Sequence, residues 1–523
     1  MSHLQQSSSS YEGGLLDGAQ DAAASAWSQL RRIISTARPV KMLIPSNLLR
    51  GLRSFVAPRH KAVEKDAKPL RPTAYLDGLR GFAAFLVYWH HHELWSHSWA
   101  SGRTPNVFEN AWGYHGNYHL ATFYGARVFF TGGHLAVAIF YVISGYVLTV
   151  KALQLMQTGQ HVRVYEVVAS ALFRRWFRLY LPLIVTTFVY VTSWHVFGFW
   201  NPQAEPKSTY LEEVWNWYVE FKNFSFVFKE GSLWPSYNGH LWSIPLEMRG
   251  SVVAYVAALT LARATTNARL LCELGLVIYF LYICDAWYAA VFMSGMLQAD
   301  LDLLARRPEP DSGFPEFLRR LERHKKAIVY TLLVVAIYFS GVPSHMNDMD
   351  ILRQNPGWYW LSYLKPQAVF DPKWFFLSIA ANCIVVAVPR IPWLKGFFEG
   401  PFCQYLGHIS FSLYLVHGPV LAILGDRLYH AVGWISGSEK SREMLAWWIN
   451  KLPLPTVGPL GLEPAFLLPH IILLPTTLAL AGFVTRTVDE PSVKFAQWLW
   501  KLIHKKENAP HENGRAIGLE RIA

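Results

Sequence analysis

Between residues 76 and 490 the chain carries ten apolar runs of roughly bilayer-spanning length, at 77–96, 128–150, 177–198, 243–263, 269–284, 285–303, 327–345, 374–390, 404–424 and 464–485. In hydrocarbon every backbone N–H and C=O must be satisfied within the segment, so runs of this kind fold as helices that pack on one another. The spacing therefore predicts an all-α, polytopic transmembrane bundle of about ten helices. The pair at 269–303 is divided by Cys284-Asp285 alone, and moving that boundary would reverse the side of every later loop.

Composition agrees with this reading. Of the 523 residues 52% are hydrophobic and 16% charged, against about 25% charged in soluble domains. Rows of Trp and Tyr suit interfacial belts. The net charge of +12 could suggest nucleic acid, but the basic residues cluster beside apolar runs, which points to a membrane surface. The four cysteines lie in or next to apolar runs, so no disulfide framework is expected. Three regions follow: 1–70, Ser-rich and then basic, disordered or lying in the membrane interface; 71–495, the helical membrane domain; and 496–523, a cytosolic tail.

Basic residues orient the bundle. Lys151, Arg163, Arg174 and Arg175 lie between the second and third runs, and Arg306, Arg307, Arg319, Arg320, Arg323, Lys325 and Lys326 lie between the sixth and seventh. With ten spans these stretches share one side with both termini, and by the positive-inside rule that side is cytosolic. The sequon Asn223-Phe-Ser225 then falls on the opposite side, where N-glycosylation is chemically accessible. The long polar amino-terminal region and the sequon lean toward a eukaryotic endomembrane or plasma membrane.

Ionisable residues inside apolar runs are costly and mark candidate sites. Arg80 and His91 are eleven residues apart in the first run, about three turns plus 20°, which puts both on one face about 16 Å apart. His90 and His92 point to other faces. Adjacent histidines diverge on a helix, so a single cation would need ligands from elsewhere, and no metal is expected. Asp77, three residues before Arg80, is placed to pair with it. Glu247 lies about a turn inside the fourth run with Ser243 on the same face; it needs a partner, whether His91, Arg249 or an arginine of another helix. His417 sits inside the ninth run, and His134 and His240 near the ends of others. Ser144 is discounted as a nucleophile, because small residues in spans chiefly permit close helix packing.

Six stretches, in order, resemble the acyltransferase 3 family of membrane-bound O-acyltransferases. They are Leu76-Asp-Gly-Leu-Arg-Gly-Phe-Ala-Ala84 with His91 after it; Gly132 to Tyr146, ending Ser-Gly-Tyr; Phe173-Arg-Arg-Trp-Phe-Arg-Leu-Tyr-Leu-Pro182, its proline one residue later than in the commonest form; His240-Leu-Trp-Ser-Ile-Pro-Leu-Glu247; Leu406-Gly-His-Ile-Ser-Phe-Ser-Leu-Tyr-Leu-Val-His417; and Val488-Asp-Glu-Pro491. The resemblance covers about residues 72–495. It implies transfer of an acyl group, acetyl foremost, from acyl-CoA as co-substrate to a hydroxyl of a sugar, lipid or secondary metabolite, with no permanently bound cofactor. His91 matches the family's catalytic histidine and Arg80 its partner arginine. An imidazole titrating near 6.5 can take the hydroxyl proton during attack. Arg80, about 16 Å away, would instead hold the phosphate or pantetheine end of CoA, with Arg174, Arg175 and Arg178 as further phosphate contacts. Glu247 is a candidate to orient His91. The competing reading is a multi-pass transporter or permease, against which stands the lack of paired repeats; a regulatory protein that kept the fold and lost the chemistry is the third.

Overall fold

The computed structural model describes residues 70–98, 107–198, 206–307, 313–344, 347–434, 443 and 446–504. The amino-terminal region read as disordered or interfacial lies outside these residues, as does most of the tail. Helix is the regular structure among the described residues, with no strand among them. The longer helices are α1 Ala74–Glu93, α2 Gly133–Gln157, α3 His161–Phe197, α4 Tyr210–Phe224, α5 Ser243–Thr260, α6 Thr266–Tyr282, α7 Trp287–Ala305, α8 Lys325–Phe339, α9 Pro372–Ala387, α10 Pro401–Val420, α11 His470–Val484 and α12 Glu490–Ile503.

Each apolar run coincides with one of these helices. Among the described residues five helical stretches are long and apolar enough to cross a membrane: Gly133–Gln157, His161–Phe197, Pro372–Arg390, Pro401–Val432 and Pro464–Ile503. The doubtful boundary at 269–303 is a true break. Asp285 takes a left-handed backbone (φ 47°), which ends α6 and lets α7 turn back against it. The Arg269 guanidinium grips Asp300 across the pair, Nε to Oδ2 at 2.6 Å and Nη2 to Oδ1 at 3.1 Å, both side chains buried.

Two boundaries differ from the sequence expectation. The basic stretch before the third run is not a loop: α3 begins at His161 and runs 37 residues, about 55 Å. That is longer than the roughly 30 Å hydrocarbon core, so one end must stand outside it. Helix also continues past residue 496, because α12 lays an aromatic edge on α3, with Phe173 against Trp500 and Phe177 against Phe495.

α2 is apolar on all sides and buried along most of its length, and it packs on α1, α3, α5, α7 and α9. Glycines set the distances. A Cβ on Gly145 would strike the Phe292 carbonyl of α7, and one on Gly295 would strike the Val142 carbonyl of α2. On the other side of the bundle, Gly81 of α1 meets the backbone of Leu406 and Gly407, and Gly407 of α10 meets the Asp77 carbonyl. Without a hydrophobic drive between helices in lipid, such backbone contact is what holds them.

Two outcomes are expected. Gly145→Leu should abolish a monodisperse peak in fluorescence-detected size exclusion, whereas Gly275→Ala, with open space at its Cα, should leave it intact. Arg269→Ala should strand the buried Asp300 carboxylate and lower stability by about 3–5 kcal/mol, read as a reduced melting temperature in detergent.

Candidate active site

All six sequence stretches meet around one cavity of about 180 Å³. Arg80 of α1, Ser144 of α2, Arg175 and Arg178 of α3, Ser243 and Glu247 of α5, Gly407, His408, Ser410 and Tyr414 of α10, and Asp489 just before α12 all line it. Three guanidiniums thus share one chamber with two carboxylates.

The arginines are held differently. Arg80 donates to Asp77 Oδ1 at 3.4 Å and to the Gly407 carbonyl at 3.1 Å, while Asp77 also accepts from Arg71 at 3.1 Å. Both readings of Arg80 meet here, since it pairs with Asp77 and still faces the cavity. Arg175 donates from Nη2 to Glu247 Oε1 at 2.6 Å and from Nε to Ser251 Oγ at 3.0 Å. Of the partners open to Glu247 it takes the arginine of another helix, Arg175, together with Ser144, whose hydroxyl donates to Oε1 at 3.3 Å. Arg249 is not that partner, because it turns to the carbonyls of Phe226 and Lys229. Arg178 makes no hydrogen bond or ion pair among the described residues and lines the cavity. Arg174 is not brought in; its Nε bonds back to the Ser170 carbonyl at 3.0 Å.

His91 is not among the residues that line this chamber. The link is Tyr414, which lines the cavity, shares a 2.7 Å hydrogen bond with Ser243 Oγ and donates to the His240 carbonyl. Behind it three histidines converge. The ring of His91 lies 4.2 Å from that of His240 and 5.1 Å from that of His417, and His240 and His417 are 5.0 Å apart. One ring nitrogen from each lies within 4.8 Å of the others. The ligands that a cation at His91 would need from elsewhere are therefore present, supplied by α10 and by the turn Gly239–Trp242.

Backbone oxygens set the tautomers. His91 Nδ1 is 2.8 Å from the Val87 carbonyl and His417 Nδ1 is 3.2 Å from that of Leu413. A carbonyl only accepts, so each Nδ1 carries the hydrogen and each Nε2 presents a lone pair. For His240 the partner is Asn238 Oδ1 at 3.2 Å; the Asn238 amide nitrogen donates to the Leu415 carbonyl at 3.3 Å, which fixes the oxygen toward the ring. His240, a minor candidate by sequence, and Asn238, which sequence did not single out, are thus part of the site. The opening His of the His-Leu-Trp-Ser stretch was the available signal.

Of the neighbouring histidines, His92 bonds the Tyr429 hydroxyl at 2.8 Å, while His90 packs on His134 and also lies edge-on to His91 at 5.3 Å. Asn223 sits half-buried in the last turn of α4 and does not line the cavity.

A protein family described as an acyltransferase domain matches residues 73–474. The chain is 27% identical to the O-acetyltransferase PaAT-1 of Phomopsis amygdali over 89% of its own length and 92% of that protein. It is 24% identical to the acyltransferase R4 of a Phoma species, covering 72% of this chain and 88% of the relative. It is 23% identical to the acyltransferase clz18 of Cochliobolus lunatus, covering 74% and 90%. No solved structure matches it significantly. With the family matched across most of the chain, and the six resembling stretches gathered around one cavity, the protein belongs to the acyltransferase 3 family.

Proposed function

We propose that the protein is an acyl-CoA-dependent O-acyltransferase that moves an acyl group, acetyl foremost, onto a hydroxyl of a sugar, lipid or secondary metabolite, with His91 as general base. The observation that carries this reading is the cavity itself: guanidiniums line it, and Tyr414 on its wall packs on His417, which in turn packs on His91, whose Nδ1 faces the Val87 carbonyl. The acetyl assignment is supported by the name of the O-acetyltransferase relative.

The chemistry follows from the charges. Arg80 and Arg178 suit the phosphates of CoA, because charge-assisted hydrogen bonds to phosphate are strong and guanidinium presents them in pairs. Arg175 is less free, being committed to Glu247. In the topology read from the basic segments, this end faces the cytosol, where acyl-CoA is found. At the other end the acceptor hydroxyl gives its proton to His91 Nε2 as its oxygen attacks the thioester carbon. The carbon–sulfur bond breaks, and the same proton passes to the departing CoA thiolate. Val87 holds His91 in the tautomer this requires.

Two measurements test the assignment. In purified protein supplied with labelled acetyl-CoA and a panel of hydroxyl acceptors, His91→Ala should lower turnover by at least about a hundredfold while the protein elutes as the wild type does; full activity in that variant would remove His91 as the base. Arg178→Ala should raise KM for acyl-CoA by about tenfold or more, the size of one lost charge-assisted contact, and leave KM for the acceptor near its original value. Arg174→Ala should change neither.

A further inference from the structure

We propose that His91, His240 and His417 together form a binding site for a transition-metal cation of the Zn²⁺ class, and that filling it switches acyl transfer off. The proposal deepens the functional reading above and rests on it, because it concerns the nitrogen there assigned as the base.

Three imidazoles whose Nδ1 atoms face oxygen acceptors are left with their Nε2 lone pairs, and one ring nitrogen from each lies within 4.8 Å of the others. His417 Nε2 is buried without a hydrogen-bond partner, in a side chain only 1% exposed. Such an arrangement is unfavourable by itself, since lone pairs repel and a buried acceptor without a donor loses its hydration. A shared proton can satisfy two of the three nitrogens; a divalent cation satisfies all three.

The donor set fits the cation. Zn²⁺ takes imidazole nitrogens at about 2.0–2.1 Å, and three-histidine sites keep a fourth position open. Imidazole suits Zn²⁺, Cu²⁺ and Ni²⁺ and does not suit Mg²⁺ or Ca²⁺. The surrounding shell is also of the kind metal-binding histidines have, with the far nitrogen of each ring donating to an oxygen: Val87 for His91, Leu413 for His417 and Asn238 for His240. The three ligands come from α1, α10 and the turn before α5. The first two are locked by the Gly81–Gly407 approach and the third is held by Tyr414. On binding the nitrogens draw together about the ion.

The functional consequence is direct. Coordination uses the Nε2 lone pair, the same pair that must accept the acceptor's proton. A loaded site therefore has no free base at His91, and the hydroxyl stays protonated.

The test uses the full chain purified in detergent and stripped with a chelator. Zn²⁺ titration by calorimetry should give one site per chain, and Co²⁺ should give the visible absorption of a low-coordinate nitrogen site. Both should weaken more than tenfold in His240→Gln and His417→Gln, and about 10–100-fold in Asn238→Ala. X-ray absorption of the Zn²⁺-loaded wild type should show three imidazoles, which keeps the test open if a variant misfolds. Zn²⁺ should inhibit consumption of acetyl-CoA, with a chelator restoring it. Wild type that binds Zn²⁺ no better than the His240→Gln, His417→Gln double variant overturns the site and leaves the base reading standing. Stoichiometric Zn²⁺ with activity that appears only when the metal is present overturns the switch and the His91 base together. Metal binding in a protein that transfers no acyl group to any acceptor overturns the enzyme reading and the switch and leaves the cation site standing.

Discussion

The close approach of α1 and α10 is the contact on which the rest of the site depends. Gly81 and Gly407 let the two backbones touch, and each helix carries a cavity-lining side chain next to its glycine and a converging histidine ten residues on: Arg80 and His91 on α1, His408 and His417 on α10. Arg80 even donates to the Gly407 carbonyl, so the arginine is positioned by the same junction that brings the histidines together. In lipid, packing and interhelical hydrogen bonds carry association, and one side-chain methyl at either glycine would push the two halves of the site apart.

Charge inside the bundle is arranged in unequal pairs. Arg175 and Glu247 satisfy one another closely, at 7% and 19% side-chain exposure, and Ser144 and Ser251 take up further bonds. Arg80 is shared between a carboxylate and a carbonyl, and Arg178 has neither. A chamber with surplus guanidinium and few anions of its own is suited to an anionic ligand.

How much was legible varies residue by residue. The first helix is readable in part: a 3.6-residue period separates His92, which is found on Tyr429, from His91, but it does not tell that His90 also lies edge-on to His91. The break at Asp285 was marked by a single polar pair in an apolar run. Glu247 was recognised as needing a partner, but period and spacing confine an argument to one helix; three candidate partners were open, and the choice of Arg175 belongs to how α3 lies on α5. The start of α3 was missed for a related reason. His161 to Arg175 is polar on one face, which by charge alone reads as a loop, and its helicity comes from packing on α5 and on the aromatic edge of α12.

By itself the sequence determined that the chain is a helical membrane bundle, because ten apolar runs leave the backbone no other way to satisfy its hydrogen bonds. It also determined which residues are chemically expensive and hence worth examining. Only the tertiary structure decided which of them share a space. His91, His240 and His417 are separated by well over a hundred residues each, and nothing local ties one to another. Their convergence arises from glycine contacts, from Asn238 bridging to the Leu415 carbonyl and from Tyr414 holding the turn, all of which are relations between segments, whereas the Nδ1 hydrogens of His91 and His417 are set within their own helices by Val87 and Leu413.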